Sequence, residues 1–181
     1  MSFLKGHWQL LLTTAVVFLL WNTLLAFPLK MLVVFFHEIS HGLAAILTGG
    51  QIIEITLSPQ QGGVATTAGG SRFAILFAGY IGSLLCGVAL FMAALRTQAD
   101  TWWMASVGVV LIIITILYIR TPFALAFGLI TGAAMLAMAR YLSHQINDLV
   151  LRIIGLTSMI YVPYDIFSDT LARPICHRTL L

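Results

Sequence analysis

The sequence predicts an all-α polytopic membrane protein of about six transmembrane helices, with one small β-hairpin. Of its 181 residues, 60% are hydrophobic and 8% are charged, whereas about 25% of the residues of a soluble domain are charged. Apolar runs of roughly 20 residues recur along the chain, and a helix of that length crosses the hydrocarbon core of a bilayer. One segment, at about residues 51–67, instead has β-branched residues on both sides of a turn. We therefore expect an integral, multi-pass membrane protein.

The first two predicted spans meet at a proline. An apolar run from Trp8 to Phe27 predicts the first span. This run is long for the apolar region of a signal peptide and lacks a clear small-x-small cleavage site, so we expect it to remain in the mature protein. The second span is predicted from Pro28 to Leu47. One helix over both runs would be ~60 Å long, too long for one bilayer, so Pro28 and Lys30 mark a break.

The segment after the second span predicts a β-hairpin at about residues 51–67. Gly49 and Gly50 end the helix, and two runs rich in β-branched residues follow, separated by a Pro- and Gly-containing turn. A lone hairpin is only marginally stable, so we expect this one to lean on the membrane domain or to dip into it. An ordinary polar loop is the alternative interpretation.

Four further apolar runs predict spans three to six, and the connections between them are short. They extend over Arg72 to Leu95, Trp102 to Ile119, Pro122 to Tyr141, and Leu149 to about Thr170. Little chain is left for a separate soluble domain, so residues 1–181 are expected to form one membrane domain. Any functional site must then be built from the spans and the hairpin.

The charged residues exclude a nucleic-acid-binding surface. Nine basic and six acidic residues give a net charge of +3. The basic residues occur singly along the chain, so they form neither a stripe for nucleic acid nor a polybasic patch for lipid. The expected surroundings are therefore the lipid bilayer itself, with no nucleic-acid partner. The sequence leaves the oligomeric state open.

The third predicted span combines small residues with one of the two cysteines. Gly79, Gly82 and Gly87 leave a smooth helix surface on which another backbone can approach closely, so we expect them to serve packing. Cys86 and Cys176 are too few and too differently placed for a disulfide framework or a cysteine metal site. Cys86 is expected to be a small core residue.

The second span carries the sequence His37-Glu38-Ile39-Ser40-His41, an HExxH motif. Histidines four residues apart project from one face of a helix and can share a tetrahedral zinc ion, while the glutamate beside them can activate a water held at the metal. Ionisable groups at bilayer depth are costly unless they face a protein interior or a cavity and find partners. The motif therefore predicts a zinc site. The alternative is a polar cluster that only ties helices together.

A catalytic zinc site needs a third protein ligand and an open position for water. Three carboxylates are expected to meet solvent, because they lie in the hairpin, in a short loop, or at the start of the last span: Glu54, Asp100 and Asp148. The remaining histidines lie near the termini or in a loop and are not expected to bind metal: His7, His144 and His177.

Two aspartates in the last apolar run are better candidates for the third ligand. Asp165 and Asp169 are four residues apart, so they share a helix face or flank a local opening after Pro163. We favour Asp165 as the ligand because it lies deeper in the span and close to the proline, whose missing backbone donor helps to unwind the helix. Asp169 would then accept a hydrogen bond from a histidine and orient it. The alternative is a pair at the helix end that meets water or Arg173.

Together these features resemble the site-2 protease family of intramembrane zinc metallopeptidases, and within it the compact, B-like branch. The resemblance extends over most of the chain from Phe35 to Thr170, and its sharpest elements are residues 37–42 and 164–169. It implies that His37, His41 and one C-terminal aspartate bind one Zn²⁺ per chain and that Glu38 is the general base.

The expected function is therefore hydrolysis of peptide bonds in transmembrane or membrane-proximal segments, in the cell membrane of a prokaryote. The partner would be a membrane-protein or membrane-proximal peptide, held extended by strand addition to the hairpin edge. One alternative is an inactive, protease-like binding or chaperone protein, although the intact Glu38 argues against it. Another is a metal or proton transporter that uses the same ionisable residues, although no inverted repeat is visible in the sequence.

Overall fold

The computed structural model describes residues 12–21, 23–60 and 62–167, and the side chains of Asp165 and Phe167 lie outside the described set. Helix α1 covers residues 12–20. The other elements, in chain order, are α2 (Phe27–Leu47), β1 (Gln51–Ser58), β2 (Gly62–Ala68), α3 (Arg72–Arg96), α4 (Asp100–Tyr118), α5 (Pro122–Tyr141) and α6 (His144–Phe167). Among the described residues, five helices, α2 to α6, are long and apolar enough to cross a membrane. The chain is a multi-pass helical membrane protein with one hairpin, as predicted.

The break between the first two spans is confirmed, but α1 ends earlier than predicted, at residue 20 instead of Phe27. The Thr23 hydroxyl donates to the Leu20 carbonyl oxygen at 2.6 Å, which provides one of the last helix carbonyls with a partner. A 3₁₀ turn at Leu24–Ala26 then leads into α2, and Pro28 lies in the first turn of that helix, where its missing N–H costs nothing. The predicted start of the first span lies outside the described residues.

Helix α2 is central to the bundle. It packs on α3, and both helices contact α6, whereas α4 and α5 pair mainly with each other. Residues Met31 to Phe36 of α2 are all buried. Helices α2 and α6 are the most buried of the five candidate spans, and α3, α4 and α5 present more surface to lipid. The motif-bearing helix is therefore enclosed by protein on several sides.

Small residues let α3 and α6 approach closely. A Cβ atom built on Gly155 would lie 2.6 Å from the Gly87 carbonyl oxygen, so the two backbones are in direct contact. Beside them the Ser158 hydroxyl donates to the Ser83 carbonyl oxygen at 2.7 Å. Such contacts, with small residues at the interface, are a general way to join helices inside a bilayer. The predicted packing role of Gly87 is confirmed.

The expectation that Cys86 is a core residue is wrong, because its side chain is exposed. The close contact of α3 with α6 is formed by Ser83 and Gly87, and Cys86 lies beside it instead of within it. Cys86 instead lines an apolar groove of about 270 Å³ together with residues of α2 and α4. Cys176 lies outside the described residues.

The predicted β-hairpin is present and leans on the helices. Strands β1 and β2 are antiparallel, with a register shift between Ile52 and Glu54. Ile55 and Leu57 are buried, and Ile55 forms a bridge with Ile119 at the end of α4. A two-stranded hairpin needs such packing to be stable. The polar-loop alternative does not describe this segment.

The end of α2 sets the direction of the hairpin. Gly49 has a φ of +86°, a left-handed conformation that glycine adopts without strain. The chain turns there, and the Gly50 N–H donates to the Ala45 carbonyl oxygen at 2.7 Å. The Thr48 hydroxyl accepts from the Ser71 N–H at 2.9 Å, so the start of α3 is held beside the end of α2.

Two helices begin earlier than the hydrophobic pattern predicted. Helix α4 starts at Asp100 rather than Trp102, and α6 starts at His144 rather than Leu149. A hydrophobic run marks only the apolar part of a span, and polar residues can form the first turn where a helix leaves the bilayer core. The expected unwinding of the helix after Pro163 is wrong, because α6 continues through this proline to Phe167. Its predicted end at Thr170 lies outside the described residues.

Candidate metal centre

The two motif histidines lie one turn apart on the central helix. The ring centroids of His37 and His41 are 4.6 Å apart, with an angle of 76° between the rings. The Glu38 side chain between them is 4% exposed. Because α2 is a regular helix through this region, the spacing of four residues places both imidazoles on one face, as the sequence predicted.

Both imidazoles point at the backbone of Gly79 on α3. A Cβ atom built on Gly79 would collide with Nε2 of His37 and with Nε2 of His41. The two Nε2 atoms therefore approach one point beside the Gly79 backbone, and only glycine at position 79 allows this approach. Converging imidazole nitrogens are what two ligands of one metal ion require.

A backbone carbonyl fixes the orientation of His41. Its Nδ1 lies 2.6 Å from the carbonyl oxygen of Ile75. A carbonyl only accepts, so Nδ1 carries the hydrogen and Nε2 keeps its lone pair. Metal-binding histidines generally have such an acceptor on their second nitrogen. The ring of His37 meets the Tyr80 ring edge-on, at a centroid distance of 4.7 Å.

The hairpin covers the motif glutamate. A Cβ atom built on Gly63 of β2 would lie 2.6 Å from Cγ of Glu38 and 2.7 Å from its Oε1. Strand β2 therefore passes directly over the carboxylate, and only glycine allows this approach. On the next turn of α2, a Cβ atom on Gly42 would contact the side chain of Ile52 in β1. Both strands are in this way seated on the motif helix.

Ser40, the fourth residue of the motif, belongs to the contact between α2 and α3. Its hydroxyl donates to the Phe36 carbonyl oxygen at 2.7 Å, and the side chain is buried. A Cβ atom on Gly82 would collide with this hydroxyl. The expected packing roles of Gly79 and Gly82 are confirmed, but Gly79 packs on the imidazoles themselves, which the sequence analysis did not predict.

The predicted third ligand lies at the limit of the described chain. The backbone at Asp165 is part of α6, but its side chain is outside the described set, and Asp169 lies beyond the described residues. Within the described part of the chain, no three His, Cys, Asp or Glu side chains form a group that could hold a metal ion. The two histidines are thus brought together, and the aspartate stays a prediction.

The carboxylates that were expected to meet solvent differ from one another. Glu54 is in β1 and partly exposed, in line with that expectation. Asp148 is also partly exposed and pairs with Nε of Arg152 at 2.7 Å. The expectation is wrong for Asp100, which is 5% exposed. The turn between α3 and α4 is short and packs against the start of α6, so this carboxylate is covered.

The other histidines do not join the motif among the residues that the structure describes. His144 begins α6, at the end of the bundle away from the hairpin, and its Nδ1 lies 3.1 Å from the Thr101 hydroxyl. His7 and His177 lie outside the described residues. Sequence reasoning also missed the Ile75 carbonyl and the Tyr80 ring. A backbone carbonyl has no signature in a sequence, so no signal pointed to Ile75.

Two of the side chains that a zinc ion would need lie together at this site. The histidine nitrogens converge, and the Ile75 carbonyl leaves a lone pair on Nε2 of His41. Glycine at position 79 lets both rings lie against α3, and neutral imidazole is a preferred zinc ligand. The site is built from α2 and α3 within the membrane-spanning region.

A family model described as Peptidase M50B-like matches residues 10–178, nearly the whole chain. The chain belongs to the Peptidase M50B-like family. No curated protein and no solved structure matches it. Membership of the Peptidase M50B-like family confirms the resemblance to site-2 proteases and indicates a membrane metallopeptidase as the class of protein. The match includes the HExxH helix, the hairpin, α3 and both C-terminal aspartates.

A glycine pair tests this geometry. Gly79→Ala places a methyl group between the two Nε2 atoms and should lower the zinc content of the purified protein about tenfold or more, in the range seen when ligand orientation is lost. Gly63→Ala places the same methyl group against Glu38, which is not a ligand, and should leave the zinc content unchanged. Elemental analysis of both variants in detergent measures this, with helix content as the check on folding. Equal zinc in the two variants would contradict the geometry.

Proposed function

We propose that this protein is an intramembrane zinc metalloprotease that hydrolyses peptide bonds in transmembrane or membrane-proximal segments. The observation that carries the proposal is the convergence of His37 and His41 on Gly79, with Glu38 buried next to them under the hairpin. Ionisable groups inside a membrane domain are expensive and usually have a function. Membership of a peptidase family makes proteolysis the most direct function for such a site.

We infer that one Zn²⁺ per chain is held by His37, His41 and Asp165. The register of α3 and α6 supports the choice of aspartate. Gly87 packs on Gly155 and Ser158 in an antiparallel arrangement. From this contact, about two helical turns back along α3 lead to Gly79, and about two turns forward along α6 lead to position 165. The two positions therefore lie at the same level. Asp165 is therefore at the right height for the point on which the imidazoles converge.

Asp169 is proposed to orient a ligand instead of binding the metal. It lies one helical turn beyond Asp165 in the sequence, so in a continuing helix it would project from the same face. His41 already has an acceptor for Nδ1 in the Ile75 carbonyl. Asp169 would give one of the two motif histidines an acceptor of the same kind.

In the proposed reaction, bound zinc supplies Lewis acidity to the scissile carbonyl and to a water. Glu38 is the general base: its carboxylate takes a proton from the attacking water and passes it to the leaving amide nitrogen. The buried position of Glu38 under β2 suits this role, because the carboxylate lies next to the two histidines and away from bulk water. His37 and His41 hold the metal beside it.

The hairpin is proposed to present the substrate. A helical segment has its carbonyl groups hydrogen-bonded within the helix, so it must unwind before cleavage. Among the described residues, β2 pairs with β1 alone, which leaves its other edge available for an extended peptide. Val64 on β2 is 60% exposed, directly after the glycine that packs on Glu38. A peptide added to this edge would pass the general base.

Ligand substitutions test the metal site. The wild-type protein should carry close to one equivalent of zinc, and His37→Ala or His41→Ala should abolish it, because losing one of three ligands opens the coordination shell. Asp165→Asn should lower the zinc content more than Asp169→Asn does. Elemental analysis after purification measures all four variants. Zinc content that is unaffected by both histidine changes would exclude the site. A larger loss of zinc in Asp169→Asn than in Asp165→Asn would mean that Asp169 is the ligand.

Glu38→Gln tests catalysis separately from binding. The variant should keep both zinc and fold, because Glu38 is not a ligand, but it should lose cleavage, because an amide cannot take the proton from water. Each protein is co-expressed with a library of tagged, single-span membrane proteins, and fragments are compared. Some fragments should disappear with Glu38→Gln while the corresponding full-length proteins accumulate on pull-down. The same fragment pattern from both proteins, with zinc bound in both, would favour the binding protein over the protease.

A further inference from the structure

A second polar pocket lies at the opposite end of the bundle from the hairpin. It has a volume of about 260 Å³ and is formed where α3 ends and where α4 and α6 begin. Ala94 lies in its wall, about 22 Å farther along α3 than Gly79 at 1.5 Å per residue. The polar side chains around it are Thr97, Asp100, His144, Gln145, Asp148 and Arg152. This pocket is therefore separate from the candidate metal centre and does not depend on the proposed proteolysis.

Asp100 in the wall of this pocket is buried without a complete set of partners. The residue is 5% exposed, and its Oδ1 has no hydrogen-bond partner among the residues that the structure describes. A buried carboxylate oxygen without a donor is strongly unfavourable. Asp100 lines the pocket, so a ligand there can supply the missing donor once the carboxylate turns Oδ1 toward it. The ligand group that suits a carboxylate is a cation that carries N–H bonds.

The guanidinium of Arg152 in this pocket indicates that the same ligand also carries an anionic group. Asp148 and Arg152 form an ion pair through Nε at 2.7 Å, which leaves the terminal nitrogens of the guanidinium as further donors. The pair is partly exposed, so those nitrogens are accessible. Arginine is well suited to bind phosphate. A ligand with an ammonium for Asp100 and a phosphate for Arg152 would satisfy both sides of the pocket.

The aromatic residues near the pocket are of the kind found at the membrane–water interface. Trp102, at the start of α4, is 77% exposed, and Tyr141, at the end of α5, is 81% exposed. Exposed tryptophan and tyrosine at the ends of spans are typical of the membrane–water interface. His144 Nδ1 and the Thr101 hydroxyl, 3.1 Å apart, hold the starts of α6 and α4 together at this level. The molecules that carry both charges at this depth are lipids.

We propose that this pocket binds the phosphoethanolamine headgroup of a membrane lipid, with its ammonium on Asp100 and its phosphate on Arg152. A choline headgroup has no N–H bond to donate to Oδ1 of Asp100, so the pocket should discriminate against it. A divalent cation is disfavoured, because no group of three His, Cys, Asp or Glu side chains suited to a metal occurs in the described part of the chain.

The test is a lipid titration of the full chain in detergent, read by native mass spectrometry. Phosphatidylethanolamine and phosphatidylcholine with identical acyl chains are compared, and the wild type should prefer the first by about tenfold, the value of one charge-assisted hydrogen bond. Asp100→Asn, which keeps the shape of the side chain, should remove this preference. Glu54→Gln, the same change on the hairpin, should retain it. Arg152→Gln should weaken binding of both lipids.

Several results would overturn the proposal. Equal binding of the two lipids by the wild type would exclude the headgroup assignment. This comparison needs no variant, so it does not depend on the folding of Asp100→Asn. A preference for phosphatidylethanolamine that persists in Asp100→Asn would also exclude it. Millimolar Mg²⁺ that displaces the lipid from the wild type, but not from Asp100→Asn, would assign the pocket to a cation. Soluble glycerophosphoethanolamine should bind at least about tenfold more weakly than the lipid; equal binding would rule out the lipid as the source.

Discussion

The close approach of α3 to α2 at Gly79 is the contact on which the rest of the site depends. It brings Nε2 of His37 and Nε2 of His41 to one point and excludes any side chain from it. About two turns farther along α3, Gly87 packs on the backbone of α6. Since there is little hydrophobic driving force between helices in lipid, small residues and hydrogen bonds must hold this arrangement. One row of glycines on α3 thus determines both the position of the histidines and the height of α6.

The polar groups of the motif are tolerated because protein surrounds them. The Ile75 carbonyl accepts from His41, and strand β2 covers Glu38 through Gly63. The hairpin in turn is stable because α2 and the end of α4 support it. The motif side chains and the hairpin that covers them are therefore mutually dependent. Asp100 differs from them, because its buried oxygen has no partner in the described part of the chain, and it lies at the other end of the bundle.

The sequence was most informative where hydrophobic runs end at glycine or proline. The limits of α2, α3 and α5 agree with prediction within a residue, because Pro28, Gly49 and Pro122 punctuate the chain. The start of α6 at His144 was missed, since its first turns are polar. For the site, the HExxH spacing predicted the histidine pair but not its contact with Gly79. The burial of Asp100 depends on how three helix ends pack together, and no local pattern encodes that.

We propose that His37 and His41 hold a zinc ion together with a carboxylate, inside the membrane domain. X-ray absorption at the zinc edge of the purified wild-type protein reads this ligand set. The spectrum should show four nitrogen or oxygen neighbours at about 2.0–2.2 Å, with the multiple-scattering signature of two imidazoles and no sulfur. A sulfur neighbour, a signature of three or more imidazoles, or protein that binds no zinc would rule this ligand set out.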